Sequence, residues 1–237
     1  MRIPIVILHG WNLSSEHFKP LEQRLIQLKY RVYSLDLPGF GSAAIPQKPW
    51  TVQDYANFVY EFIQKKKLKE IILIGHSFGG RIAIVLASKY RSLIKGIILT
   101  GTPGLNHSSK KKLNFFYLLA KSGNVILSFT PFLKDVARKI LYKLAGSYDY
   151  YRSSGVMRQT LKRILAYDLK DHLKNIDQPT LLIWGAGDKT VPVSVANNML
   201  KYLKNSELKI IPYGNHNVPY TYPKEFSALI DTFLNQY

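Results

Sequence analysis

Short apolar runs alternate with longer amphipathic ones along most of this chain. Arg2 to Leu8 and Ile71 to Ile74 are almost wholly aliphatic. Runs of this length, rich in β-branched residues and bounded by turn residues, read as strands buried on both faces. Tyr30 to Leu35, Gly96 to Thr100, Pro179 to Trp184 and Glu207 to Pro212 read the same way. Between the strands the apolar spacing changes to three and four. Phe18, Leu21, Leu25 and Leu28 mark a helix over Glu16 to Lys29, and further helices are predicted at Thr51 to Lys67, Ile82 to Tyr90, Ser194 to Leu203 and Pro223 to Asn235. Thr51 with Asp54 three residues on is close to a capping box. The predicted fold class is α/β, a doubly wound, mostly parallel sheet of about six strands.

The alternation stops after Thr102-Pro103-Gly104. From Leu105 to Asn175 no strand-like run appears, and the segment reads as several helices, apolar at Leu113 to Leu119 and Asn124 to Leu133. Residues 1–104 and 176–237 are therefore expected to form one core, with 105–175 a helical insertion. Inserted at the C-terminal edge of the strands, it would lie over the crevice where open α/β sheets bind ligands, as a cap or lid.

The chemistry centres on Gly75-His76-Ser77-Phe78-Gly79. This is a G-x-S-x-G nucleophile elbow in its required setting, a buried strand before it and a helix after. The glycines are needed because side chains two residues before and two after the serine would strike neighbouring strand and helix. The turn holds the hydroxyl clear of the sheet and aims the positive end of a new helix at any oxyanion formed there.

A serine hydroxyl is a weak nucleophile at neutral pH and needs an oriented base. Of six histidines, His216 follows the last strand, in Gly214-Asn215-His216, and is the candidate base. His9 and His76 sit beside glycines at strand ends, where a role in loop hydrogen bonding is expected. His17 falls on the first helix, and His107 and His172 fall in the insertion. Asp188, in Trp184-Gly185-Ala186-Gly187-Asp188, is the candidate orienting acid, since the preceding strand ends at Thr100-Gly101-Thr102 with no carboxylate. The order Ser, Asp, His is the one expected of α/β hydrolases. An oxyanion hole needs two N–H groups, and these are assigned to the backbones of Phe78 and Trp11.

Together with Asp36-Leu37-Pro38-Gly39-Phe40-Gly41-Ser42, these motifs resemble the alpha/beta-hydrolase superfamily end to end, the insertion excepted. The resemblance implies Ser77 as nucleophile, Asp188 as acid, His216 as base, Trp11 and Phe78 as oxyanion donors, and a cap domain where the insertion falls. Two departures stand out. The family usually has two strands before the first strand seen here, which implies a minimal sheet with a barer edge. Many relatives also carry a glutamate five residues after the histidine, where this chain has Thr221. A serine nucleophile argues against the dehalogenases and epoxide hydrolases of this fold, which use aspartate. It leaves esterases, lipases, thioesterases, lactonases, perhydrolases and C–C hydrolases of meta-cleavage products. The His9-Gly10-Trp11-Asn12-Leu13 stretch and the Asp36 loop look like those of the methyl esterases acting on pimeloyl–carrier conjugates, as well as carboxylesterases generally.

Composition narrows the rest. The 237 residues include no cysteine, so disulfides, thiolate metal sites and a cysteine nucleophile are excluded. No metal or other cofactor is expected. With no apolar run near the ~18 residues of a membrane span and no signal-like start, a cytoplasmic location is expected. The formal charge is +18. Residues 105–175 carry 14 Lys and Arg against four Asp and no Glu. A small-molecule ester is the expected partner, with a basic cap that would suit an anionic substrate or an acidic carrier protein. With no recognisable nucleic-acid module, nucleic acid is not the expected partner.

Overall fold

The structure, a computed structural model, describes residues 2–103 and 153–236. Six strands form one sheet in which every neighbouring pair is parallel: β1 (Ile5–Leu8), β2 (Val32–Leu35), β3 (Ile71–His76), β4 (Ile94–Thr100), β5 (Thr180–Gly185) and β6 (Ser206–Ile211). Their order across the sheet is β2-β1-β3-β4-β5-β6. The chain winds one way from β1 to β2 and the other way from β3 to β6. The switch point lies between β1 and β3, where the crevice at the carboxyl ends of the strands is expected to hold ligands.

Both faces of the sheet are covered, and the alternation of side chains shows it. Val6 and Leu8 of β1, Ile71 and Leu73 of β3 and Leu182 and Trp184 of β5 enter one core. Their neighbours Ile5, Ile7, Ile72, Ile74, Leu181 and Ile183 enter the other. The first core is closed by α2 (Val52–Lys65), α3 (Phe78–Lys89) and α6 (Val193–Leu200), and the second by α1 (Lys19–Gln27) and α8 (Pro223–Leu234). A sheet buried on both faces explains the continuous apolar runs.

Element ends follow local chemistry. The capping box at α2 is formed: Asp54 N–H donates to Thr51 Oγ1 (3.2 Å) and Thr51 N–H donates to the Asp54 carboxylate (2.7 Å). The first predicted helix is split into a 3-10 turn at Ser15–Phe18 and then α1. Pro20 has no N–H to donate and sits in the first turn of α1, where proline is tolerated and the missing donor has no helical partner to lose. The second strand begins at Val32 rather than Tyr30. Lys29 turns left-handed (φ 69°) and Tyr30 N–H donates back to Leu25 O (3.0 Å), so Tyr30 belongs to the stop of α1.

The insertion is described only in its second part. The expectations for Leu113 to Leu119, Asn124 to Leu133 and His107 lie outside the described residues. Within 153–175 the chain is helical, as α4 (Gly155–Ala166) and α5 (Lys170–Lys174). Leu161, Ile164 and Leu173 of these helices join the same core as α2 and α3. Arg81 of α3 ties this segment down. Its guanidinium is buried and donates to the carbonyls of Pro103, Ile164 and Tyr167. Burial lowers its pKa to about 10, opposed by Asp168. Three carbonyls in place of a carboxylate solvate the buried cation, and they lie on both sides of the undescribed stretch.

Candidate active site

The nucleophile elbow has the backbone that its sequence demands. Ser77 lies between β3 and α3 with φ 52° and ψ −110°, a conformation costly for any residue with a Cβ. The flanking glycines are required by contact. A Cβ on Gly79 would stand 2.1 Å from the Leu8 carbonyl oxygen, and one on Gly75 would stand 2.5 Å from Gly80 Cα. These approaches draw the start of α3 against the end of β1. Ser77 N–H donates to Thr100 O (2.9 Å), fixing the turn to the end of β4 as well.

His216 and Asp188 are brought together. Nδ1–H of His216 donates to Asp188 Oδ2 at 2.8 Å, with the Asp188 side chain 1% exposed. The other carboxylate oxygen accepts from the N–H groups of Thr190 (2.9 Å) and Val191 (2.8 Å). Both oxygens are thus occupied, which fixes the ring tautomer by leaving Nε2 bare. The loop carrying Asp188 is held by the buried Trp184, whose indole N–H donates to Val191 O (2.8 Å). It is packed on the histidine loop through Gly185, where a Cβ would stand 2.4 Å from Asn215 O.

Ser77 and His216 follow strand ends at the same rim, and among the described residues no hydrogen bond joins Ser77 Oγ to His216. Such bonds are often long in enzymes without substrate and tighten in the complex. The two residues intended as oxyanion donors touch through their side chains. The rings of Trp11 and Phe78 are 5.4 Å apart, and neither backbone N–H has a partner among the described residues. Phe78 is the first residue of α3, where N–H groups have no partner within the helix. The indole N–H of Trp11 donates to Ser153 Oγ (3.3 Å), so the donor loop also touches the insertion, at the start of its described part.

His9, His17 and His172 are bonded to groups other than Ser77, Asp188 and His216. His9 donates from Nδ1 to Gly10 O (2.8 Å) and accepts Leu37 N–H at Nε2 (3.0 Å), and burial lowers its pKa. His17 accepts the Ser14 N–H (3.2 Å). His172 lies between Ser88 Oγ (2.6 Å) and Tyr167 Oη (2.8 Å), with its pKa lowered by burial and Lys89. Thr221 is the last residue of α7 (Val218–Thr221), and its hydroxyl donates back to Asn217 O (2.9 Å).

One contributor went unrecognised in the sequence. Gly101 has φ 53°, and a Cβ there would stand 2.7 Å from the His216 ring and 3.4 Å from Asp188 Oδ2. Its signal was a glycine directly after a strand at the same edge as Ser77. Among the described residues no group of three or more His, Asp and Glu is placed to hold a metal ion.

With this geometry in place, comparison with known proteins decides the family. A family model for the alpha/beta hydrolase fold matches residues 3–223. The chain belongs to the alpha/beta hydrolase family. Among curated members, a pimeloyl-acyl-carrier-protein methyl ester esterase of Nitrosospira multiformis is 29% identical over 97% of this chain and 93% of that protein. A 2-hydroxy-6-oxo-6-(2'-aminophenyl)hexa-2,4-dienoic acid hydrolase of Metapseudomonas resinovorans is 25% identical over 98% of this chain and 84% of that protein. An esterase of Exiguobacterium antarcticum has a similar structure, with TM-score 0.77 and 21% identity over 99% of this chain and 92% of that one. At that identity the structural likeness speaks for the fold. This alpha/beta hydrolase is thus a hydrolase by family, and no helix among its described residues is long and apolar enough to cross a membrane.

Proposed function

We propose that this protein is a serine hydrolase cleaving carboxylic esters of short- to medium-length acyl chains, with Ser77 as nucleophile, His216 as base and Asp188 as its orienting acid. The observation that carries this reading is Ser77 in its left-handed turn at the head of α3, with the bonded His216–Asp188 pair held at the same rim. Ser77 Oγ attacks the ester carbonyl carbon while its proton passes to Nε2 of His216. The oxyanion faces the N–H groups of Trp11 and Phe78, each such donor being worth about 10²–10³ in rate. Collapse breaks the carbon–oxygen bond, and the leaving alkoxide takes the proton from His216. Water then gives a proton to His216 and attacks the acyl carbon, and that proton returns to Ser77 as the acid departs.

The aminophenyl-hexadienoic acid hydrolase among the relatives supports a second substrate for the same machinery, a vinylogous diketone cleaved at a C–C bond. The pimeloyl-carrier esterase, with the basic charge of residues 105–175, supports an anionic or carrier-linked ester, and that segment as a cap over the site. The test is a panel of p-nitrophenyl esters of increasing chain length, with a meta-cleavage diketone included. Ser77→Ala is expected to lower ester turnover by at least about 10³-fold and to abolish labelling by a fluorophosphonate. Full turnover in that variant would refute the nucleophile; turnover of the diketone alone would replace the ester by the C–C substrate.

A further inference from the structure

His76, the last residue of β3, touches three parts of the site at once. Its ring is 1% exposed. Nε2 lies 2.9 Å from the backbone carbonyl oxygen of His216, 140 residues away in sequence. A carbonyl can only accept, so Nε2 carries the hydrogen and the neutral ring leaves Nδ1 bare. That nitrogen has no hydrogen-bond partner among the described residues and faces Gly10, where a Cβ would stand 2.8 Å from it. The ring therefore lies against the backbone of the loop that carries Trp11. Phe18 and Tyr220 close the remaining sides, at ring distances of 5.9 Å and 6.0 Å. On the other side His76 continues directly into Ser77.

We infer that His76 is a positioning residue: its N–H holds the His216 loop by the carbonyl and thereby sets the imidazole of His216 against Ser77. Its contact with the Gly10 loop carries the same constraint to the oxyanion donors. The inference rests on the reading of Ser77 and His216 as nucleophile and base. Two features suit the ring to this task. Burial first, and the nearby His216 second, push its pKa to about 3, so it stays neutral while His216 cycles through its cation 4.9 Å away. Among the described residues the titratable side chains facing it are His216, His9 and Tyr220, none of them an anion that would draw a proton onto it. An imidazole also has no flexible stem beyond its two torsions, so a held carbonyl stays held.

The test compares His76→Met, similar in volume and without a donor, with His76→Gln, whose amide N–H reaches about as far. A small displacement of reacting groups can cost about 10²-fold. His76→Met is expected to lower kcat for a p-nitrophenyl ester by about 10- to 100-fold with KM changed less than about 3-fold. His76→Gln is expected to restore most of the loss, although both variants lower the melting temperature alike. Should His76→Met fail to fold, His76→Asn, too short to reach the carbonyl, takes its place. In parallel, the proton on Nδ1 of His216 is followed by NMR of histidine-labelled protein. It is expected to broaden or shift in the donor-less variants and to return in His76→Gln. Equal kcat in all variants with an unmoved proton, or equal losses in His76→Met and His76→Gln, would reduce His76 to a packing residue. If the wild type neither turns over esters nor reacts with a fluorophosphonate, the hydrolase reading fails. The His216 proton still decides whether His76 holds the loop.

Discussion

The two rims of one sheet carry charge in opposite ways. At the carboxyl-end rim several polar groups are buried: His9, His76, Thr100 and Asp188 are all at most 5% exposed. Each of the imidazoles and the carboxylate has an identifiable partner, and glycines let backbone approach where a Cβ would collide. At the amino-end rim the charges are many and wet. An open hollow of about 1070 Å³ is lined there by Arg31, Lys67, Lys69, Lys89 and Arg91 against Glu70. Its ion pairs, Lys95 with Glu70 and Arg91 with Asp177, are about half exposed. The topology creates the difference. Helices following parallel strands point their N-termini at one rim and their C-termini at the other. The negative ends of α2 and α3 favour cations such as Lys65 and Lys89 in their last turns. One rim uses charge to place atoms, and the other uses it to balance helix ends and face water.

The sharpest way to break this comparison is to alter a buried charge without altering its shape. Asp188→Asn does so. Thr190 and Val191 N–H both donate to one oxygen, so the new amide must keep its oxygen there and turn its nitrogen to His216. The imidazole is then forced to accept at Nδ1, which puts a proton on Nε2, the nitrogen that the proposed base needs free. We expect kcat to fall about 10³–10⁴-fold with little change in melting temperature, read by steady-state kinetics and a thermal melt. A loss below about 10-fold would mean that the carboxylate only packs.

Asp36 sharpens the comparison from within the same rim, because it is held by several bonds and lies outside the proposed triad. Its carboxylate accepts Ser15 N–H (2.7 Å) and both the N–H and the hydroxyl of Ser42 (2.8 Å each), and a Cβ on Gly41 would collide with it. Burial pulls its pKa upward, but the bonds from Ser42 and Ser15 prevail and hold it well below the usual carboxylate range. A depressed folded-state pKa stabilises above the unfolded value and is lost as the pH falls through the folded one. Asp36→Asn, able to accept on one atom only, should cost about 1–2 kcal/mol at pH 7. The gap between wild type and variant in a denaturant melt should close as the pH drops below about 4. A gap constant down to pH 2 would contradict the assignment.

How far all this could be read beforehand depended on whether a contact left a local trace. The elbow did, since Gly75 and Gly79 each avoid a collision with a nearby element, and so did Asp188 and His216, which lie in the loops after successive strands. The break between the 3-10 turn and α1 was also written in Pro20. Gly101 left a trace of a single residue, indistinguishable in sequence from any glycine ending a strand. The hold of His76 on the His216 carbonyl and of Arg81 on Pro103, Ile164 and Tyr167 left none. These bonds are to backbone, and a backbone carbonyl has no letter of its own. The return of residues 153–175 to the core was hidden for a related reason: α4 and α5 have the apolar spacing of any amphipathic helix, whatever it packs on.

The smallest expected effect tests the wet rim. Lys69 and Lys89 are exposed and line the hollow. Reversing both, Lys69→Glu with Lys89→Glu, removes four units of charge from a chain at +18. The lost interaction of Lys89 with the end of α3 should cost under about 1 kcal/mol. Surface charges act over a Debye length of about 8 Å at physiological salt, so a site across the sheet should not feel them. We therefore expect kcat/KM for neutral and anionic esters alike to stay within about 2-fold, measured at 0.15 M salt. The matching reversal of Lys110, Lys111 and Lys112 is expected to lower kcat/KM for anionic esters only, if residues 105–175 steer substrate. Equal losses for anionic esters from both reversals would show that the net field of the protein, not its placement, attracts the substrate. The two rims would then differ in precision but not in reach.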